Sequence, residues 1–269
     1  MKCNIQDTLE INLPEELSDH PDVYNIEWDN ENGQGWEMKN FIALTKDRNL
    51  LLDVGAYVGF FSFVFMINNN DDGRKRCYSF EPSAPNFEIM GKIVKYQGDD
   101  IRFENMIGYP AFVGEEQKEV GVVVEKNYQT FTPMYERAVP GFPTGPKNDF
   151  KVKMVSIDNF NEWLKSEGQI ADTIKIDVEG YDFRVLQGAR NFLKDDRPLV
   201  FLEVHQRTLK LYNNTIINVY DLVNNELEYN FFNNKLELVS TKNDFLQLFA
   251  DSEVNELRLI CSPKEAGNL

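Results

Sequence analysis

Residues 51–62, with the sequence LLDVGAYVGFFS, constrain the fold more than any other part of this chain. An apolar run ends in Asp53, and Gly55 and Gly59 follow it. Apolar residues at helical spacing come next, at Phe60, Phe63, Val64 and Ile67. This order predicts a buried strand, a tight turn that uses the backbone freedom of glycine, and a helix. A strand, a turn and a helix in this order are typical of a parallel sheet covered by helices.

The alternation of strands and helices continues along the chain and predicts the fold class. The first strand is predicted at residues 50–54, and further strands at 77–80, 101–105, 120–125, 151–155, 172–178 and 198–204. Helices are predicted at 37–45, 183–193 and 216–226, and after helix caps at Ser83 and Asp158. Short strands at 229–232, 235–239 and 256–261 are best placed antiparallel at one edge. We therefore expect an α/β fold with a doubly wound, mostly parallel, Rossmann-like sheet. The predicted domain covers residues 37–262, between an irregular lead-in (1–36) and a tail (263–269).

The charge of the chain restricts its partners. The 269 residues carry a formal net charge of −16, and 42% of them are hydrophobic, which is enough for one substantial core. A surface this acidic repels phosphate backbones and anionic lipids, so nucleic acid is not an expected partner. The most basic short run, GRKR at residues 73–76, is interpreted as a solvated loop.

Several features predict a cytoplasmic protein. No apolar run approaches the roughly 20 residues of a membrane span. The first residues, MKCNIQDTLEINLPEE, are too acidic and too polar for a signal peptide. Cys3, Cys77 and Cys261 stand far apart with no paired spacing, which argues against a cysteine zinc site and fits a reducing compartment.

The glycine turn predicts a cofactor site. It lacks the third glycine of the GxGxxG fingerprint that brings a backbone close to a pyrophosphate, so a cofactor without pyrophosphate fits better. Adenosylmethionine is such a molecule. Asp53 would accept from its ammonium group, and Gly55 would let the backbone pass beneath its methionyl part. The alternative is a glycine turn that only packs a helix onto a strand.

A second acidic strand end follows in SFEPSAPNF, which contains Glu81. A carboxylate there, about 20 residues after the glycine turn, is placed to accept from both ribose hydroxyls. Pro82 shapes the turn and Ser83 caps the next helix. The alternative is a simple turn carboxylate.

The motif DTIKIDVEGYDF places charge where a doubly covered strand is normally apolar. Lys175, Asp177 and Glu179 share one side of the strand because side chains alternate. Buried unpaired charge is costly, so we expect Asp177 and Glu179 where the strand opens into an active-site crevice. The alternative for Lys175 is a structural ion pair with Asp177 or Glu203.

The motif FLEVHQR adds Glu203 and His205, again on one side of a strand. A histidine at a crevice can act as a general base near neutral pH. Alternatively it is a satisfied structural histidine. The other histidine, His20, lies in the lead-in and is expected to be solvated. A divalent metal bound by Asp177 and Glu203 would instead acidify a hydroxyl group, and the sequence does not decide between base and metal.

The motifs DVGAYVGFFS, SFEPSAPNF, SIDNF, IKIDVEGYDFRVLQGA and PLVFLEVH, in this order, resemble the FkbM family of adenosylmethionine-dependent O-methyltransferases. The resemblance covers roughly residues 37–261, and KIDVEG and EVH are its most specific parts. It implies a seven-stranded methyltransferase sheet and methylation of hydroxyl groups, often on sugars. A small-molecule or glycan acceptor is therefore expected, and the oligomeric state is left open.

The resemblance assigns Asp53, Gly55, Gly59 and Glu81 to cofactor binding. It assigns Asp177, Glu179, Glu203 and His205 to the catalytic crevice. The complete sets of predicted site residues are as follows. Catalytic candidates are Lys175, Asp177, Glu179 and His205. Cofactor-binding candidates are Asp53, Gly55, Tyr57, Gly59, Phe60, Ser62, Glu81, Pro82, Ser83, Asn105 and Asp177. Tyr57 departs from the family, which usually has asparagine there, so its contacts to the methionyl group are in question. The proline-rich residues 131–147 are expected to form a substrate loop.

Two other functions compete with this interpretation. An NAD-dependent enzyme that modifies nucleotide sugars would explain the glycine turn and Glu81, but not the missing third glycine or KIDVEG. A methyltransferase-like binding module without turnover would not need Glu81, Asp177 and His205 together.

Overall fold

The computed structural model describes residues 2–5, 9–15, 33–124, 131–133, 151–250 and 256–267. Its largest unit is an eight-stranded sheet covered by helices on both faces. Five neighbouring strands are parallel, and three more continue one edge antiparallel. The predicted α/β class and mostly parallel sheet are therefore confirmed, and a two-residue strand extends the antiparallel edge.

The strands are numbered in chain order. Those of the large sheet are β3 (Leu50–Val54), β4 (Arg76–Phe80), β5 (Met106–Tyr109), β10 (Thr173–Ile176), β11 (Leu199–His205), β12 (Tyr229–Phe232), β13 (Leu238–Val239) and β14 (Glu256–Pro263). A hairpin consists of β1 (Lys2–Ile5) and β2 (Leu9–Asn12). A four-stranded sheet consists of β6 (Ala111–Val113), β7 (Lys118–Val124), β8 (Phe131–Pro133) and β9 (Lys151–Val155).

The helices cover both faces of the large sheet. They are α1 (Gly33–Thr45), α2 (Phe60–Ile67), α3 (Ala84–Tyr96), α4 (Ile157–Ser166), α5 (Asp182–Gly188), α6 (Arg190–Asp195), α7 (Gln206–Leu209), α8 (Ile216–Tyr220) and α9 (Lys242–Ala250). A π-helical turn, Asp221–Glu226, continues α8. Among the described residues, no helix has the length and apolarity of a membrane span.

Side-chain alternation on β3 separates two apolar layers. Leu50, Leu52 and Val54 pack into one core, whereas Leu51 packs into the other, on the opposite face. All five residues of the strand are buried. Burial on both faces requires the unbroken apolar run that the sequence shows.

The strand order places a crevice beside β3. The order is β13-β12-β14-β11-β10-β3-β4-β5, so the chain leaves β3 toward β4 and later returns to β10 on its other side. In open α/β sheets, ligands bind at the carboxyl ends of strands where the order reverses in this way. The carboxyl ends of β3 and β10 are therefore the expected site.

Several predicted elements need correction. The strand predicted at 101–105 is a 3₁₀ turn, Ile101–Phe103, and the true strand β5 begins after it. The helix predicted at 183–193 is two helices, α5 and α6. Ser156, not Asp158, caps α4, while Asp158 accepts from two backbone N–H groups at the start of α6. Of the predicted substrate loop, residues 131–133 form β8, and residues 134–147 lie outside the described residues, as does His20.

The basic run at residues 73–76 is not a solvated loop throughout. Lys75 is fully buried, its Nζ donates to the carbonyl oxygen of Thr45 at 2.8 Å, and it lies 4.6 Å from the ring centroid of Phe65. Burial, helped by the nearby charge of Arg74, lowers the pKa of Lys75 to about 8. An unfolded lysine keeps its proton to about pH 10.4.

Between about pH 8 and 10, Lys75 therefore binds a proton in the unfolded chain but not in the folded chain. Its contribution makes the free energy of unfolding rise with pH over this range. We expect urea unfolding to show that Lys75→Met is at least as stable as the parent at pH 7. The variant should lack the increase in the free energy of unfolding that Lys75 contributes between about pH 8 and 10. Lys95→Met, on an exposed position of α3, serves as the control. An identical pH profile for parent and Lys75→Met would contradict the account.

Candidate active site

The turn between β3 and α2 is held in a conformation that requires glycine. Gly55 has φ +83°, and a Cβ atom there would overlap the carbonyl oxygen of Asp177. Gly59 has φ +90° and lies against the side chain of Met90. The backbone N–H groups of Gly55 and Ala56 both donate to the carbonyl oxygen of Phe80 at 3.0 Å. The turn thus packs directly against the strand ends on both sides of β3.

Glu81 holds this turn from the end of β4. Its Oε2 accepts from the Tyr57 N–H at 2.9 Å, and its Oε1 accepts from the Ser83 N–H at 2.8 Å. Tyr57 itself has φ +53°, an uncommon conformation for a residue with a side chain. Burial raises the pKa of Glu81 to about 7, although these N–H donors act in the other direction.

Asp53 lies below the turn and is almost fully buried. Its Oδ2 accepts from the Ser62 hydroxyl at 2.5 Å, and that hydroxyl lies 2.7 Å from the Ser79 hydroxyl. Burial raises the pKa of Asp53, and the charge of Lys175 partly offsets this. Asp53 Oδ1 is buried without a hydrogen-bond partner among the described residues, so it remains available to a ligand.

Not every cofactor candidate faces this turn. Asn105 precedes β5 and donates to the carbonyl oxygen of Gly73, which places it at the amino end of the sheet, opposite the crevice. The strand predicted at 101–105 would have placed Asn105 at the carboxyl end of the sheet; because β5 begins only at Met106, Asn105 is removed from the candidates. Ser83 is buried as the cap of α3, and Ser62 is buried against Asp53. Both therefore stabilise the elements that form the site. Phe60 is buried at the start of α2 and Pro82 is half-buried.

An ion pair lies across the turn on β10. Lys175 is buried, and its Nζ lies 2.9 Å from Asp177 Oδ2 and 4.4 Å from the ring centroid of Phe61. Burial alone lowers the pKa of Lys175, but the carboxylates of Asp177, Glu37 and Asp53 outweigh it and raise that pKa. Burial alone raises the pKa of Asp177, but Lys175 and His205 lower it, so Asp177 is ionised at neutral pH. The ion pair considered as an alternative for Lys175 is therefore present, and Asp177 remains partly exposed to the crevice.

Two residues of this network come from distant parts of the chain. Arg258 on β14 lies opposite Glu203 in the strand register, and its Nη2 donates to Glu203 Oε1 at 2.8 Å. Its Nε lies 2.9 Å from Oε2 of Glu37 on α1. Burial and the carboxylates of Asp177 and Glu37 raise the pKa of Glu203 well above its usual range. Arg258 and Glu37 are not among the predicted site residues, because no local motif indicates either contact.

His205 is buried among carboxylates at the end of β11. Its Nε2 lies 3.5 Å from Glu179 Oε2 and 3.7 Å from Glu203 Oε1, and its Nδ1 lies 3.6 Å from Asp182 Oδ2. Burial lowers the pKa of His205, but Asp182 and Glu179 outweigh it and raise the pKa to about 10. Such a ring is protonated at pH 7 and has no free lone pair for a proton. The structure therefore does not favour the predicted role of general base.

Carboxylates outnumber the basic groups at these strand ends. The acidic side chains are Glu37, Asp53, Asp177, Glu179, Asp182, Glu203 and Glu256, and the basic ones are Lys175, His205 and Arg258. The crevice thus favours a cationic ligand and disfavours an anionic one.

The family model described as the methyltransferase FkbM domain matches residues 53–231. This span contains the glycine turn, Glu81 and both charged strand ends. The chain belongs to the FkbM methyltransferase family. It thus carries the methyltransferase domain that the sequence resemblance implied.

Solved methyltransferase structures also align with this FkbM chain, each with a TM-score below 0.5. An FkbM methyltransferase from Methylobacillus flagellatus KT is 15% identical, with a TM-score of 0.46 over 81% of this chain and 44% of that one. A precorrin-6y C5,15-methyltransferase from Geobacter metallireducens GS-15 is 11% identical, with a TM-score of 0.42 over 84% and 87%. A SAM-dependent O-methyltransferase from Thermotoga maritima is 9% identical, with a TM-score of 0.41 over 83% and 63%. This chain thus spans less than half the length of the Methylobacillus flagellatus protein. The search of curated proteins finds no match.

Adenosylmethionine fits the residues of the glycine turn in this FkbM domain. The unpartnered Asp53 Oδ1 supplies an acceptor for an ammonium group or its water. Glu81 Oε2 keeps a second lone pair beyond its contact with the Tyr57 N–H, and this lone pair would accept from a ribose hydroxyl. Glu81 Oε1 accepts from the Ser83 N–H and, at 3.4 Å, from Asn86 Nδ2.

We expect Glu81→Gln to bind adenosylhomocysteine roughly 10-fold or more weakly, because a charge-assisted hydrogen bond contributes about 1.5–3 kcal/mol. Since burial raises the pKa of Glu81 to about 7, the parent's affinity should also fall as the pH drops below about 7. The variant should lack this pH dependence. Calorimetry across pH 5.5–8.5 measures both effects, with Glu88→Gln on the exposed side of α3 as the control. An unchanged affinity in Glu81→Gln would rule out the ribose contact.

Proposed function

We propose that this methyltransferase transfers a methyl group to a hydroxyl oxygen of a neutral sugar or glycan. In this proposal the cofactor occupies the glycine turn and Glu81 at the carboxyl ends of β3 and β4. The acceptor hydroxyl occupies the charged crevice at the carboxyl ends of β10 and β11.

One observation carries the proposal. The backbone of Gly55 lies so close to the carbonyl oxygen of Asp177 that no side chain fits between them. The cofactor turn and the charged strand end therefore form one continuous surface. A methyl donor on the turn would have its reactive end beside Asp177, which is the proximity that direct transfer requires.

The residues of the chain supply binding and orientation. When bound, adenosylmethionine would supply the methyl group. The acceptor oxygen would form a bond to the methyl carbon while the bond from that carbon to sulfur breaks and its electron pair stays on sulfur. Asp177 is ionised, because Lys175 holds one of its oxygens, and it would accept a hydrogen bond from the acceptor hydroxyl. Glu179, exposed at the crevice mouth, would pass the released proton to solvent.

The charge of the crevice argues against an anionic acceptor. A phosphorylated or carboxylated acceptor would have to approach an excess of carboxylates, whereas a neutral sugar hydroxyl would not. The absence of a nucleic-acid partner and the cytoplasmic location remain predictions from the composition.

Methyl transfer to a sugar panel tests this function. Purified protein with adenosylmethionine is incubated with neutral glycosides and with the matching sugar phosphates, and O-methyl products are identified by mass spectrometry. We expect methylation of a neutral glycoside hydroxyl in preference to the phosphate. Methylation only of amine, carbon or phosphorylated acceptors would contradict the proposal.

A further inference from the structure

The side chain of His205 is buried among carboxylates. Only 5% of it is exposed, and its Nδ1 has no hydrogen-bond partner among the described residues. Its Nε2 points toward oxygens of three carboxylates, Glu179 at 3.5 Å, Glu203 at 3.7 Å and Glu256 at 3.8 Å. A buried polar ring that faces several oxygens at this separation is arranged as if around a common ligand.

Three side chains at this point can converge on one ion. β10 and β11 are parallel, with Ile176 level with Leu202, so Asp177 is level with Glu203, and His205 follows two residues later. One ligand atom of each residue, an oxygen of Asp177, an oxygen of Glu203 and a nitrogen of His205, lies within 4.8 Å of the others. Bonds of about 2.0–2.2 Å allow two ligands of one ion to lie up to about 4.4 Å apart. Small side-chain rotations would therefore bring all three into range.

The carboxylates are already oriented by basic neighbours. Lys175 donates to Asp177 Oδ2, and Arg258 donates to Glu203 Oε1. The other oxygen of each carboxylate, Asp177 Oδ1 and Glu203 Oε2, has no hydrogen-bond partner within the described ranges. Metal ligands are commonly held in this way by outer partners that leave one oxygen for the ion.

His205 has a matching outer partner. Asp182, fully buried at the start of α5, accepts from the His205 backbone N–H at 3.2 Å and lies 3.6 Å from its Nδ1. A metal ion that binds Nε2 would displace the proton from that nitrogen, and the carboxylate beside Nδ1 would then fix the tautomer of the ring. The groups behind the three candidate ligands are thus Lys175, Asp182 and Arg258.

We propose that Asp177, Glu203 and His205 bind one divalent first-row transition metal ion at the end of β10 and β11. A mixed set of imidazole and carboxylate ligands suits Mn²⁺ or Zn²⁺ better than an all-oxygen cation site. This inference rests on the proposed function for its role. The ion would bind the acceptor hydroxyl oxygen and lower its pKa, and the proton would leave through Glu179 to solvent before the oxygen–carbon bond forms.

Mn²⁺ binding tests the site without any measurement of turnover. Chelator-treated protein is titrated with MnCl₂ and followed by calorimetry and electron paramagnetic resonance. We expect one bound ion per chain. Loss of an outer partner alone commonly weakens metal binding about 10–100-fold, so Glu203→Gln and His205→Gln should each weaken it at least about 10-fold. Glu104→Gln, exposed at the amino end of β5, is the matched control and should bind as the parent does.

The design separates this site from the proposed function. Circular dichroism confirms that each variant is folded, and the conservative Glu203→Gln substitution covers the case in which His205→Gln does not fold. No saturable Mn²⁺ binding in the parent, or equal affinity in both variants and the control, would overturn the site. Adenosylhomocysteine is titrated in parallel. If it binds while Mn²⁺ does not, only the metal site fails; if it does not bind, the proposed cofactor site fails.

Discussion

The Asp177→Asn variant is expected to lose about 100-fold or more in methyl-transfer rate, the contribution typical of a group that acts on the transferred proton. Asparagine keeps the size of the side chain and can still accept from Lys175, so the fold should be retained. It removes the charge that would orient and activate the acceptor hydroxyl. Adenosylhomocysteine affinity should change by less than about threefold, because the effect arises in the transition state.

Single-turnover kinetics and calorimetry on the same preparation separate these two effects. Glu104→Gln removes a carboxylate at the opposite end of the sheet and should leave both quantities as in the parent. A folded Asp177→Asn protein that transfers methyl groups at the parent rate would make Asp177 a purely structural partner of Lys175.

The Gly55→Ala variant should be destabilised by about 3 kcal/mol or more. Its φ of +83° places an alanine in a strained conformation, which costs on the order of 1–3 kcal/mol. The new Cβ would also overlap the carbonyl oxygen of Asp177, a backbone atom that cannot move aside cheaply. Overpacking of this kind adds about 1–3 kcal/mol. Urea unfolding measures the sum.

Gly98→Ala separates the two causes. Gly98 has φ +63°, but a Cβ there meets no atom within 4 Å. We expect this control to lose only the backbone contribution to stability, about 1–2 kcal/mol. Equal destabilisation of the two variants would show that the contact between the turn and Asp177 is not as close as described.

The central strands were predictable because their burial requires a pattern of residues that are neighbours in the sequence. β3 and β4 are buried on both faces, which requires short unbroken apolar runs, and β3 was predicted at its observed bounds. The alternation of Lys175, Asp177 and Glu179 likewise indicated a charged side of the strand, and it left the observed ion pair open as the alternative for Lys175. These features depend on neighbours in the sequence.

β5 was misplaced for a physical reason. The apolar residues Ile101 and Phe103 belong to a 3₁₀ turn, whereas the strand residues that follow are only partly buried at the sheet edge. These apolar residues therefore led to a predicted strand that lies too early in the sequence. Asn105 was assigned to the wrong end of the sheet as a direct consequence.

The rest of the site depends on contacts between distant residues. Arg258 reaches Glu203 through an antiparallel strand pairing, and Glu37 reaches Arg258 from a helix more than 200 residues away in the sequence. Asp182 acts on His205 from the start of α5, where it resembles an ordinary first-turn acid. No local pattern encodes such contacts, so the surroundings that protonate His205 became visible only in the folded chain.

A crystal structure with adenosylhomocysteine and a neutral glycoside tests the central claim most directly. We expect the ribose hydroxyls to lie within hydrogen-bond distance of Glu81, and the sulfur to face the crevice beside Asp177. The acceptor hydroxyl should lie between that sulfur and Asp177. A cofactor bound away from Glu81, or a sulfur that faces away from the carboxyl ends of β10 and β11, would contradict the account.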